Sequence, residues 1–156
     1  HGSSLITLGD ELKILSVYLD ICRTRFGENM RIVVDAEEDC ENCLVPKLII
    51  QPFIENAIMH GVDITASDDN EIRVEIRRED AELAIYITDN GNGMDEEQIS
   101  RVFRESPDGK LHAIKNIDRR IKLRYGEAYG VTIKSAPGEG TQVKLSLPFT
   151  EHGGES

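Results

Sequence analysis

"LIIQPFIENAIMHG", residues 48–61, is apolar enough for a buried helix, yet Glu55, Asn56 and His60 sit inside it and Pro52 falls near its middle. On a helix, Asn56 and His60 stand one four-residue step apart and share a face. That face can look into a pocket while Ile49, Ile50, Phe53, Ile54 and Ile58 remain in a core. Pro46, a residue type favoured in the first turn of a helix, is placed to open this one.

Upstream, Leu8, Leu12, Leu15, Leu19, Cys22 and Phe26 recur in steps of four and three, the seam of a helix that packs on another helix. Gly27 ends that helix, "MRIVVDA" reads as a strand and "CENCLV" as a loop. Downstream, Ile72, Val74 and Ile76 alternate with polar residues, and a second strand runs from Leu83 to Ile87. Val131 and Ile133, then Val143, Leu145 and Leu147, repeat the period of two. A sheet apolar on one face only needs helices on that side alone. "EEQISRVF" supplies a short one, and "LHAIKNIDRRIKLRYG" a longer one with a stripe of Leu111, Ile114, Ile117, Ile121 and Tyr125. The expectation is a two-layer α/β sandwich with a mixed sheet.

At 156 residues the chain suits one domain with a real core. Its formal net charge of −11 argues against nucleic acid or an anionic membrane surface as partner, since both require a basic face. No apolar run approaches the roughly 20 residues that span a bilayer, which predicts a soluble piece without direct membrane contact. Cys40 and Cys43 form a lone Cys-x-x-Cys without the second ligand pair of a zinc site, and a reduced cytoplasmic loop is the expectation. Residues 1–4, "HGSS", look like a cloning scar, and "TEHGGES", residues 150–156, like a flexible tail.

Three glycine clusters flank these elements: "DNGNGM" after a strand, "SPDGK" before a helix and "APGEGT" between two strands. Glycine permits positive φ and close backbone approach to a ligand, although "PGEGT" by itself is an ordinary hairpin turn. The segment from Asn92 to Lys110 is the expected mobile element. Lys110, Lys115, Arg119, Arg120 and Arg124 concentrate positive charge at one helix, whose N-terminus favours phosphate. Lys110 and Asn116 are the candidates for ligand contact there, while Arg120 and Arg124 fit a solvated basic face.

In order and combination these pieces resemble the ATP-binding domain of sensor histidine kinases, in the GHKL superfamily. "QPFIENAIMHG" looks like its N box, "DNGNGM" like its first glycine box and "GEGT" like its last. "LGDELKILSVYLDICRTRFG" with Gln51-Pro52 resembles more narrowly the LytS/YehU/YesM-like branch. The resemblance implies a Bergerat-type fold over residues 29–149, preceded at 5–28 by a helix connecting to an absent histidine-bearing dimerisation region. It implies ATP and Mg²⁺ as ligands, with Asn56 supplying an amide oxygen to the metal. It also implies that Asp89 accepts the exocyclic amine of adenine, that Gly91, Gly93 and Met94 run beside the base, and that the Thr141 hydroxyl reinforces that contact. Glu55 would accept a proton from an incoming imidazole or merely form an ion pair; His60 would stack on the nucleotide or serve as a structural histidine. Partners implied are the histidine-bearing domain of the same parent, as a homodimer, and a response regulator. The setting implied is the cytoplasmic side of a membrane-anchored sensor.

The sequence also departs from the family pattern. Leu111 and Ala113 stand where the second glycine box has glycines, and Met59 where many N boxes have lysine. Those departures favour the alternative of a degenerate nucleotide-binding or dimerisation module. Hydrolytic members of the superfamily place a glutamate four residues before the magnesium asparagine; here that residue is Pro52, which favours phosphoryl transfer over hydrolysis.

Overall fold

The computed structural model describes residues 5–61, 69–104 and 113–151, with only the backbone of His60 and Gly61. Strand β1 (Leu5–Thr7) leads directly into α1 (Leu8–Phe26). The Thr7 hydroxyl caps α1 by accepting from Asp10 N at 3.2 Å, and Gly27 closes it at φ 60°, a conformation that suits glycine. Strand β2 (Met30–Ala36) follows, then β3 (Leu44–Pro46), α2 (Gln51–Asn56) and a π-helical turn (Ala57–Gly61). Strands β4 (Asn70–Glu79) and β5 (Glu82–Asp89), helices α3 (Glu96–Val102) and α4 (Ala113–Tyr125), and strands β6 (Gly130–Ser135) and β7 (Thr141–Pro148) complete the order. Helix α3 starts at a capping box: Gln98 N donates to Asp95 Oδ1 and Asp95 N to Gln98 Oε1, both at 2.8 Å.

The main sheet has five strands in the order β2-β4-β5-β7-β6, with β2 and β4 parallel and the other pairs antiparallel. Its inner face carries Ile32, Ile72, Val74, Ile76, Leu83, Ile85, Ile87, Val143, Leu145 and Leu147, all buried. The outer face carries ion pairs such as Arg77–Asp35 at 2.8 Å and Arg73–Glu71 at 3.1 Å. The one-sided sandwich read from the alternation is therefore the observed fold. Leu8, Leu15, Leu19 and Cys22 of α1 belong to the same core as the sheet, α2 and α4.

Three details correct the sequence reading. Pro46 does not open a helix: it closes β3, which pairs antiparallel with β1, Pro46 opposite Leu5. The helix begins instead at Gln51, so Pro52 lies in its first turn, where a missing N–H leaves no intrahelical bond unmade. Ile49 and Ile50 are still fully buried, but in the turn that precedes α2. Arg120 is also more than a solvated cation, since its Nη2 donates to Lys47 O at 3.0 Å.

Cys40 and Cys43 are completely buried free thiols, and burial first, with Glu37 and Asp39 nearby, pushes Cys40 up to about 11. Cys43 is likewise raised, chiefly by burial. Thiols held protonated in this way are poor nucleophiles and poor metal ligands. Thr150 and Glu151, expected to begin a flexible tail, are tied down: Leu44 N donates to Thr150 O at 2.6 Å and Glu151 bridges to Cys43. Residues 1–4 and 152–156, together with Lys110 and Leu111, lie outside the described residues. Among the described residues, no helix is long and apolar enough to cross a membrane.

Candidate functional site

Register brings the first part of the site together. Asp89, the last residue of β5, pairs with Thr141, the first of β7, and Thr141 pairs with Ser135, the last of β6. Three polar side chains from three strands thus stand in one row at one end of the sheet. Asp89 is 8% exposed, and burial is the main reason its carboxyl is held above the ordinary value, against the pull of N–H bonds from Gly91 and Thr141. The Gly91 bond measures 2.8 Å.

Ser135 joins the two glycine turns, and the sequence reading missed it. Its hydroxyl accepts from Met94 N at 2.8 Å, donates to Gly140 O at 2.7 Å and lies 2.9 Å from the Thr141 hydroxyl. Gly138 N adds a bond to Asn92 O at 2.6 Å. The glycines make this interlock possible. A Cβ on Gly93, at φ 72°, would lie 2.0 Å from Ala136 O, and one on Gly140, at φ 75°, would lie 2.2 Å from Asp89 O. The close approach these two residues permit is therefore between the two turns themselves.

Above the row opens a cleft with about 450 Å³ of atom-free space, part of it continuous with solvent. Phe53, Asn56 and Ala57 line it from α2 and the π turn, Ile114 from α4, and Ile87, Asp89, Gly93, Met94, Thr141 and Val143 from the sheet side. Apolar walls with one buried carboxylate at the base suit a flat heterocycle that offers an amine. Half-buried Asn56 stands on the α2 side.

Other expected site residues fall elsewhere. Glu55 is exposed, accepts from Gln51 Nε2 at 3.0 Å, and lines a separate groove against α1 with Tyr18, Cys22, Arg25, Phe26 and Met59. Asn116 is exposed on α4 and is not among the residues lining the cleft. His60 belongs to the π turn, whose wider i→i+5 register alters the four-residue step expected from Asn56; its side chain, like Lys110, is outside the described residues.

A family model described as histidine kinase-, DNA gyrase B- and HSP90-like ATPase matches residues 44–151, which include the whole of this cleft. The chain belongs to that family. Its relatives include the sensor histidine kinase YesM of Bacillus subtilis, 33% identical over 144 residues, and the sensor histidine kinase YpdA of Escherichia coli, 31% identical over 143. Each alignment covers 92% of this chain but only 24% of the relative, so the chain spans about a quarter of the length of these sensors. In fold it is similar to the catalytic domain of histidine kinase ThkA, with a TM-score of 0.70, 13% identity, and coverage of 95% of this chain and 97% of that one. In sequence and architecture, then, it corresponds to the catalytic ATPase domain of two-component sensor histidine kinases.

Proposed function

We propose that the chain is the catalytic domain of a two-component sensor histidine kinase, which binds ATP in the cleft and passes its γ-phosphate to a histidine upstream in the same parent protein. The observation that carries this reading is the pairing, in one cleft, of buried Asp89 beneath apolar walls with Asn56 on the facing helix. Asp89 accepts the adenine amine, and Thr141, already braced by Ser135, supports the same edge. Gly91 and Met94 keep the neighbouring backbone in place through their bonds to Asp89 and Ser135.

The donor set fits magnesium held jointly with phosphate. Among the described residues no three acidic, histidine or cysteine side chains gather to hold a metal without a nucleotide. Magnesium binds few protein oxygens and keeps phosphate and water ligands, so the single amide oxygen of Asn56 suits it. Bound there, the ion would offset phosphate charge in a chain of net −11. Lys110 and Asn116 remain proposed phosphate contacts, and His60 a proposed neighbour of the nucleotide.

Glu55 is proposed to take the proton of the incoming imidazole from the groove side, with Gln51 orienting its carboxylate. Phosphoryl transfer depends largely on such positioning and on charge stabilisation. The histidine-bearing region, in a homodimer, and a response regulator are the partners this reading requires, on the cytoplasmic side of a membrane-anchored sensor. The alternative, a nucleotide-binding module without kinase activity, is favoured by Met59, 73% exposed at the position where the N-box resemblance implies a lysine. Calorimetric titration with ATP, ADP and GTP, with and without magnesium, tests the binding half. Adenine-selective, magnesium-enhanced binding is expected, and no binding would refute the reading.

A further inference from the structure

The N-box helix α2 has no side-chain cap of its own: the residue at its N-cap is Ile50, which makes no capping bond. Its approach is held from two other helices instead. Glu11 of α1 accepts from Leu48 N and from Ile49 N, each at 3.0 Å, and Arg120 of α4 donates to Lys47 O at 3.0 Å. Leu48 adopts φ 59°, a left-handed conformation unusual for leucine, although its side chain is half exposed and gains little by it. The turn aims two successive N–H groups at one carboxylate, and Leu48 takes the strained conformation that permits this.

Glu11 is itself unusual. It is 2% exposed and stands in the apolar seam of α1 between Leu8 and Leu15. A buried carboxylate is costly, and α1 packing alone would favour an aliphatic residue at that position. Among the described residues its hydrogen-bond partners are the two N–H groups of the turn.

We propose that Glu11 is a positioning residue for the nucleotide site, setting from α1 the point where α2 begins and hence where Asn56 stands in the cleft. The proposal rests on the reading of Asn56 given above. Helix α2 has six residues, so a displaced start reaches Asn56 after fewer than two turns. Substitution at Glu11 should therefore act on the phosphate end of the site and leave the adenine end, built on β5 and β7, unchanged.

The test compares the parent chain with Glu11→Gln and with the milder Glu11→Asp, which keeps the charge but withdraws it by one methylene. Without nucleotide, amide exchange of residues 48–56 should quicken about tenfold or more in Glu11→Gln, the scale expected for losing a charge-assisted hydrogen bond, while β5 and β7 keep parental protection. With ATP, the gain in affinity on adding magnesium should shrink by about tenfold while magnesium-free affinity stays within about threefold. Glu11→Asp should fall between, and it provides the comparison if Glu11→Gln is too unstable to assay. A merely structural role would quicken exchange throughout and lower the number of competent sites, leaving the magnesium gain intact; that outcome overturns the proposal. A parent that binds no nucleotide overturns the functional reading and the proposal together. A parent with a magnesium gain that both variants retain overturns the proposal alone.

Discussion

Gly138 and Gly140 lie in the same hairpin with nearly the same φ, 80° and 75°, yet a methyl group on each meets different surroundings. At Gly138 an added Cβ finds nothing within 4 Å; at Gly140 it would lie 2.2 Å from Asp89 O and 3.1 Å from the Asn90 Cα. Gly138→Ala thus bears only the left-handed penalty, about 1–2 kcal/mol, or a Tm loss of about 2–8 °C at this chain length. Gly140→Ala bears that penalty and must also push the Asp89 backbone away by about 0.8 Å to reach the 3.0 Å that real Cβ contacts respect. Overpacking of this kind adds about 1–3 kcal/mol. The displaced residue carries the proposed adenine acceptor, whose charge-assisted bond is worth about 1.5–3 kcal/mol, or about ten- to a hundredfold in affinity. Thermal unfolding of both variants, with ATP calorimetry below their transitions, separates the effects. Gly138→Ala should bind as the parent does, and Gly140→Ala at least about tenfold more weakly. Equal affinity in both variants would refute the argument that the two turns interlock to place Asp89.

Asn56→Ala should abolish most of the magnesium-dependent gain in ATP affinity and leave magnesium-free binding near the parent value, as read by paired titrations. Ser135→Ala removes a hydroxyl shared by Met94 N, Gly140 O and Thr141, and should cost about 1–3 kcal/mol in stability together with a measurable loss of ATP affinity. Asp89 gives a pH signature in the nucleotide-free chain. Its carboxyl is raised above 3.8, chiefly by burial, so the folded state keeps a proton that the unfolded chain has already lost. The Asp89 contribution to stability therefore falls as pH rises from 3.8 through the raised value, and Asp89→Asn should remove this slope in denaturant titrations across that window.

The sheet was legible because period-two alternation is local: Ile72, Val74 and Ile76, or Val143, Leu145 and Leu147, announce one buried face without any knowledge of their neighbours. The three-residue strands β1 and β3 were not legible, since so short a segment carries no period and is defined only by its partner. Pro46 was expected to open the N-box helix and Pro52 to fall near its middle, and the deciding fact, the pairing of Pro46 with Leu5, is long-range. At the site, Asn56, Asp89, Gly93, Met94 and Thr141 could be named from motif order, and the cleft gathers them. Ser135 and Glu11 could not: one acts through the register of β6 on β7, the other through a turn 37 residues away. The direction of Glu55 was likewise hidden, because it depends on where α1 packs rather than on helical spacing within the N box.

The proposed function requires that this cleft pass the γ-phosphate of ATP to a histidine upstream in the same parent protein. Incubation of the chain with γ-labelled ATP and magnesium, alone and with the separately produced histidine-bearing region of its own parent protein, decides whether it does. No label should appear on the chain alone, and acid-labile label should appear slowly on the histidine region, since separating the two parts forfeits the effective concentration of a tether. Glu55→Gln should slow that transfer without changing ATP affinity. Acid-stable label on the chain itself, or no label on either partner despite demonstrated ATP binding, would rule out transfer to an upstream histidine.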